Sequence, residues 1–212
     1  MIRVLATVGY PQGPLAGDER MVDDLGDTAV AAHGHPLRVD AQTRLRHMVD
    51  DHFEFIWRAL RGLGVSTTAA DDAAQQVFWI ASQKLDRIAL GSERSFLFAT
   101  ARGIAANVRR AVARSREQLG HDTLADQVDE SHDPEQAVAS HQARRILSQV
   151  LEAMHEDLRT VFVLFELEEI PTHCIAEMLD LPMGTVASRL RRARQEFRDH
   201  ASRLQRATGG RP

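Results

Sequence analysis

The chain has 212 residues, 43% of them hydrophobic but only 5% aromatic, and a formal net charge of −4 at pH 7. That length suits one or two small domains with apolar cores. A single cysteine, Cys174, excludes an internal disulfide and a multi-cysteine zinc site, and no apolar run approaches the length of a membrane span. A cytoplasmic protein with no direct membrane insertion is therefore expected.

Residues 1–43 carry Gly9, Pro11, Gly13, Pro14, Gly17, Gly26, Gly34 and Pro36 and show no sustained helical period. They read as a flexible N-terminal extension. Arg3 and a short apolar patch do not amount to a signal peptide. His33 and His35 have no further ligands near them in the sequence, so no metal site is expected there.

Residues 44–116 read as a first helical domain. Leu45, Met48, Val49, Phe53, Ile56, Trp57, Leu60 and Leu63 recur at three- and four-residue steps, which predicts a helix ending near Gly62 and Gly64. A second helix is expected to start between Ser66 and Asp71, burying Ala73, Val77, Ile80, Ala81 and Leu85. Asp72, Gln75 and Gln76 lie on its opposite side. After a loop with Gly91 and Ser92, a third helix is expected from about Ser95, burying Leu97, Ala101, Ile104 and Val108.

Charge is strongly segregated beyond this point. Arg102, Arg109, Arg110, Arg114 and Arg116 form a basic block without acids. Residues 117–142 follow as an acidic linker, with Glu117, Asp122, Asp126, Asp129, Glu130, Asp133 and Glu135. Net charge is thus a poor guide, and the distribution of charge carries the information.

Residues 143–206 read as a second helical domain, followed by a short tail at 207–212. Its apolar positions are Ala143, Ile146, Leu147, Val150, Leu151 and Met154, then Leu158, Val161, Phe162, Leu164 and Phe165. From Ile175 to Arg194 the pattern is a short helix, a tight turn at Asp180–Pro182, and a second helix with Val186, Leu190, Ala193 and Phe197 on its buried stripe. Thr185 is the expected N-cap of that second helix. Seven Arg against Glu196 and Asp199 between Thr185 and Arg206 leave a local excess of five positive charges. Such a plan is that of a helix-turn-helix unit, whose second helix enters the DNA major groove. Cys174 beside His173 is expected to be a small buried residue and not a metal ligand.

Three stretches in this order resemble bacterial RNA polymerase sigma factors. Asp72-Ala73-Ala74-Gln75-Gln76-Val77-Phe78 resembles their core-binding motif. Ser95 to Arg102, continuing through Asn107, Val108, Arg109 and Arg110, resembles the helix that engages the promoter −10 element. Leu158–Leu164 with Ile175–Arg194 resembles the domain that reads the −35 element. The short tether and lack of a third domain are similar to the compact extracytoplasmic-function (ECF, group IV) class. The resemblance implies an all-α chain of two domains, a region 2 bundle and a region 4 helix-turn-helix. It also implies core RNA polymerase, promoter DNA and an anti-sigma factor as partners. It implies no cofactor and no catalytic residue, since the polymerase makes the RNA.

Carried onto this chain, the resemblance assigns core-polymerase binding to Asp72, Gln75, Gln76, Val77 and Phe78. It assigns −10 contacts to Ser95, Phe96, Arg102, Asn107, Arg109 and Arg110. It assigns −35 contacts to Thr185, Ser188, Arg189, Arg191, Arg192 and Arg194. Two departures affect −35 specificity: Asp180 stands where the family commonly has Gly, and Ala187 replaces a commonly basic residue. The alternatives are a polymerase-independent helix-turn-helix regulator and a histidine-rich metal hydrolase. The Asp72–Phe78 motif has no use in the first, and the second lacks a His-Glu-x-x-His cluster.

Overall fold

The computed structural model describes the backbone of residues 36–119 and 134–207 and the side chains of 41–115 and 142–207. Every regular element among the described residues is helical: α1 (Pro36–Gly62), α2 (Thr67–Gln83), α3 (Glu93–Leu119), α4 (Pro134–Ala153), α5 (Glu156–Phe162), α6 (Thr172–Leu179) and α7 (Met183–Ala207). A 3-10 turn at Leu85–Arg87 follows α2, and a π-helical turn at Val163–Leu167 extends α5.

Three boundaries depart from the sequence reading. Helix α1 begins at Pro36, so residues 36–43 are helical and not part of the extension. Proline is tolerated there because its missing N–H would be unpaired in a first turn anyway. Helix α3 begins at Glu93 instead of Ser95, with the Phe96 N–H bonded to the Ser92 carbonyl. Helix also occupies both ends of the stretch read as a linker, because α3 runs to Leu119 and α4 starts at Pro134. Residues 1–35 and 208–212, and Asp122, Asp126, Asp129, Glu130 and Asp133 of the acidic run, lie outside the described residues.

Helices α1, α2 and α3 pack on one another as the first unit. Met48, Ile56, Leu60, Val77, Leu97, Phe98 and Ala101 are nearly inaccessible at its centre. The alanines at 70, 73, 74 and 81 are also buried, which lets α2 lie close against its neighbours. Trp57 Nε1 donates to Asp71 at 2.9 Å and ties α1 to α2. Arg44 donates to the carbonyls of Leu85 and Ile88, at 3.2 and 2.7 Å, and to Glu93 at 2.7 Å. One guanidinium thus holds both ends of the 88–92 loop.

In the second unit α7 packs on α4, α5 and α6. Phe162 stacks on Phe197 with ring centroids 4.7 Å apart, and Val186, Leu190 and Ala193 continue the seam. The two units also touch each other, through α3 against α6 and α1 against the π-turn, and their buried residues form one cluster.

Candidate nucleic-acid interface

The sharp corner between α6 and α7 is built by backbone chemistry. The Asp180 N–H bonds to the Glu177 carbonyl and the Leu181 N–H to the Ala176 carbonyl, the bond pair of a Schellman cap. That cap needs a left-handed residue, and Asp180 supplies it at φ 51°, ψ 52°. Leu181 then packs on the core, and the Pro182 carbonyl accepts from the N–H groups of Thr185 and Val186. The Pro182 carbonyl therefore starts α7 at Met183, and Thr185 lies inside the first turn instead of capping it. Replacing Asp180 by Gly removes the left-handed penalty of an L side chain. It is expected to stabilise the fold by about 0.5–1 kcal/mol, read as a Tm increase of roughly 1–4 °C in a thermal melt.

Seated on this corner, α7 presents Ala187, Ser188, Arg191 and Arg192 to solvent. Arg191 and Arg192 make no hydrogen bond or ion pair among the described residues, so their guanidinium groups are free for phosphate or base edges. The other predicted contacts are already engaged. Arg189 pairs with Asp157 at 2.9 Å. Arg194 donates to Glu166 at 2.6 Å and lies over the Phe165 ring at 5.1 Å. Ser188 Oγ donates to the Thr185 carbonyl at 2.9 Å, and Thr185 is half-buried. The two arginines tie α7 to the rest of its unit, and the Ser188 bond stays within α7.

On α2, Asp72, Gln75 and Gln76 are exposed, whereas Val77 and Phe78 face inward. Phe78 stacks on Phe53 at 6.1 Å within the core. A partner at this face would meet the three polar residues and Trp79, which is 64% exposed and is the large apolar group there. The helix period places 72, 75, 76 and 79 on one face, so of Phe78 and Trp79 it is Trp79 that lies beside the three polar residues.

On α3, Ser95 and Phe96 are half-buried, and Phe96 packs against the core. Asn107 and Arg110 are exposed and paired with each other at 2.6 Å. Arg102 and Arg109 instead line a narrow cleft with Leu63, Ala105, Ala106, Glu156 and Arg159, facing the second unit. Burial lowers the Arg109 pKa, although Glu156 and Glu152 draw it back. The loop before α3 projects Leu90, which is 83% exposed, beside Gly91 at φ 82°. No group of histidines, cysteines and carboxylates able to hold a metal occurs among the described residues.

Residues 144–197 match the family profile described as "Sigma-70, region 4". The ECF RNA polymerase sigma-E factor of Haemophilus influenzae is 35% identical over 111 residues, 52% of this chain and 56% of that protein. The chain is thus similar to ECF RNA polymerase sigma factors. The chain spans a little over half the length of the curated relatives it matches. Its fold is also that of two solved structures. CnrH, in complex with the cytosolic domain of CnrY, has a TM-score of 0.54 and 21% identity over 80% of this chain and 94% of that one. The sigma factor RpoE from Bartonella quintana, in complex with the anti-sigma factor NepR, has a TM-score of 0.53 and 18% identity over 77% and 97%. No helix among the described residues is long and apolar enough to cross a membrane.

Proposed function

We propose that the chain binds core RNA polymerase in the cytoplasm and directs promoter-specific initiation by recognising −10 and −35 elements. The single observation that carries this reading is the free Arg191–Arg192 pair on a helix held at the outer edge of a Schellman-capped helix-turn-helix. A helix so placed enters the major groove with its N-terminal half toward the bases. The Asp72, Gln75, Gln76 and Trp79 face of α2 would dock on core enzyme, as a polar rim around an aromatic anchor. Asn107 and Arg110, with Arg102 and Arg109, would hold the −10 strand, and the exposed Leu90 sits in the loop that precedes the same helix. The chain itself catalyses nothing.

Both solved neighbours are complexes, one of them with a protein called an anti-sigma factor. A protein of that kind is proposed as a further partner here. In vitro transcription with core polymerase and a pool of genomic promoter fragments tests the reading. Transcripts that appear only with this protein, from a restricted promoter set, are expected. Core polymerase that neither binds the chain nor changes its transcripts would overturn it.

A further inference from the structure

Three guanidinium groups line the narrow cleft between α3 and α5. Arg102, Ala106 and Arg109 lie on one face of α3, and Glu156 and Arg159 come from α5. None of the three arginines forms an ion pair among the described residues. Elsewhere the two units meet with matched charge. Arg58 Nη2 lies 2.9 Å from the nearly inaccessible Glu168, and at Gly62 a Cβ would stand 2.8 Å from a Val163 methyl. In the cleft the charges are not matched.

Arg102 makes no hydrogen bond among the described residues. Arg109 makes one, a long bond to the Glu152 carbonyl at 3.3 Å. Arg159 is fully buried, and its Nη groups reach the Leu63 and Met154 carbonyls at only 3.4 and 3.3 Å. Its Nε is buried with no partner among the described residues. Glu156 is exposed and acts on Arg109 and Arg159 only at a distance.

Gly64 fixes this crowding of cations. At φ 97°, a Cβ there would stand 3.3 Å from Arg159 Nη1 and 3.2 Å from Arg109 Cδ. Burial and the neighbouring Arg109 bring the Arg159 pKa down to about 10, so it keeps its proton at neutral pH. A buried charge without a partner is costly, and a counter-ion relieves it. Size then selects the counter-ion. The cleft volume is about 10 Å³, room for about one water-sized sphere. A halide is close to that size and accepts N–H bonds from several sides, whereas phosphate, sulfate and carboxylates are larger.

We propose that this cleft is a halide-binding site, in which one chloride accepts N–H bonds from Arg102, Arg109 and the Nε of Arg159 and so joins α3 to α5. The site stands apart from the sigma reading, since it needs neither polymerase nor DNA. Chloride held only by the folded chain raises its stability by mass action.

Thermal melts of the full chain test this, with potassium gluconate exchanged for potassium chloride at constant ionic strength. Between about 10 and about 300 mM chloride, Tm is expected to rise by about 3–6 °C. Two variants separate a bound ion from general salt effects. Arg102→Gln removes one donor, and Ala106→Leu keeps every charge but fills the cleft. Each is expected to lose most of the rise. An equal rise in the parent and both variants would overturn the site, because surface effects of the salt would then account for it. No rise in the parent would overturn it as well, and would leave water as the occupant of the cleft. Crystals of the full chain grown in bromide give the position. An anomalous peak within hydrogen-bond reach of Arg159 Nε is expected, and bromide found only on the outer surface would overturn the proposal.

Discussion

Replacing Arg191 and Arg192 together by Ala is expected to reduce promoter-specific transcription at least about 30-fold while leaving the fold intact. Each guanidinium that binds a base edge bidentately is worth about 1–3 kcal/mol, so two lost contacts cost about 2–6 kcal/mol. Both side chains are exposed and tied to nothing else described, so stability should shift by no more than about 0.5 kcal/mol. Arg189→Ala and Arg194→Ala should behave differently. Those arginines hold Asp157 and Glu166, so their loss acts partly through the seating of α7. The measurement is transcription from a responsive promoter, paired with a thermal melt of each variant. Loss of activity with an unchanged Tm is the signature of a direct contact. A double variant as active as the parent would remove this pair from the interface.

Arg159→Ala is expected to lower stability by about 3 kcal/mol, a Tm decrease of roughly 6–12 °C. Burial, with Arg109 alongside, brings the Arg159 pKa down to about 10. It is thus still charged at neutral pH, in a site that disfavours charge. Truncation empties the volume of a long aliphatic stem and strips the Leu63 and Met154 carbonyls of a donor. Those losses, at about 2–5 kcal/mol for the cavity and 1–3 per stranded carbonyl, exceed the relief of removing a buried charge. Arg159→Met keeps most of the stem and removes the charge, so it should lose less than half as much. Thermal melts of the two variants decide it. An equal loss for Met and Ala would mean that the guanidinium, which both remove, and not the packing of the stem holds the seam.

Much of the fold was legible from periodicity alone. In the stripes Met48–Leu60, Ala73–Ala81, Leu97–Ile104, Leu147–Met154 and Val186–Phe197 most expected positions are buried, while Val49, Phe53, Trp57 and Ile80 are half-buried against the core. A 3.6-residue repeat needs no knowledge of its partner. The helix-turn-helix was legible for the same local reason, since its cap and Pro182 are near neighbours in the chain. Site residues were less legible. Val77 and Phe78 share a motif with Asp72 and Gln75 but face the opposite way, and Trp79 takes the exposed place beside them.

Arg189, Arg191, Arg192 and Arg194 are equivalent as letters, and the sequence by itself determined only that this helix is strongly basic. Tertiary structure decided which cations are spent, because Asp157 and Glu166, 32 and 28 residues away, reach two of them and not the others. The same holds for Arg58 and Glu168, 110 residues apart, and for Gly62 against Val163. A helix-forming pattern is a short-range property of one segment. An ion pair or close approach between distant segments exists only once packing has brought them together, so the contacts that join the two units left no mark that local spacing could reveal.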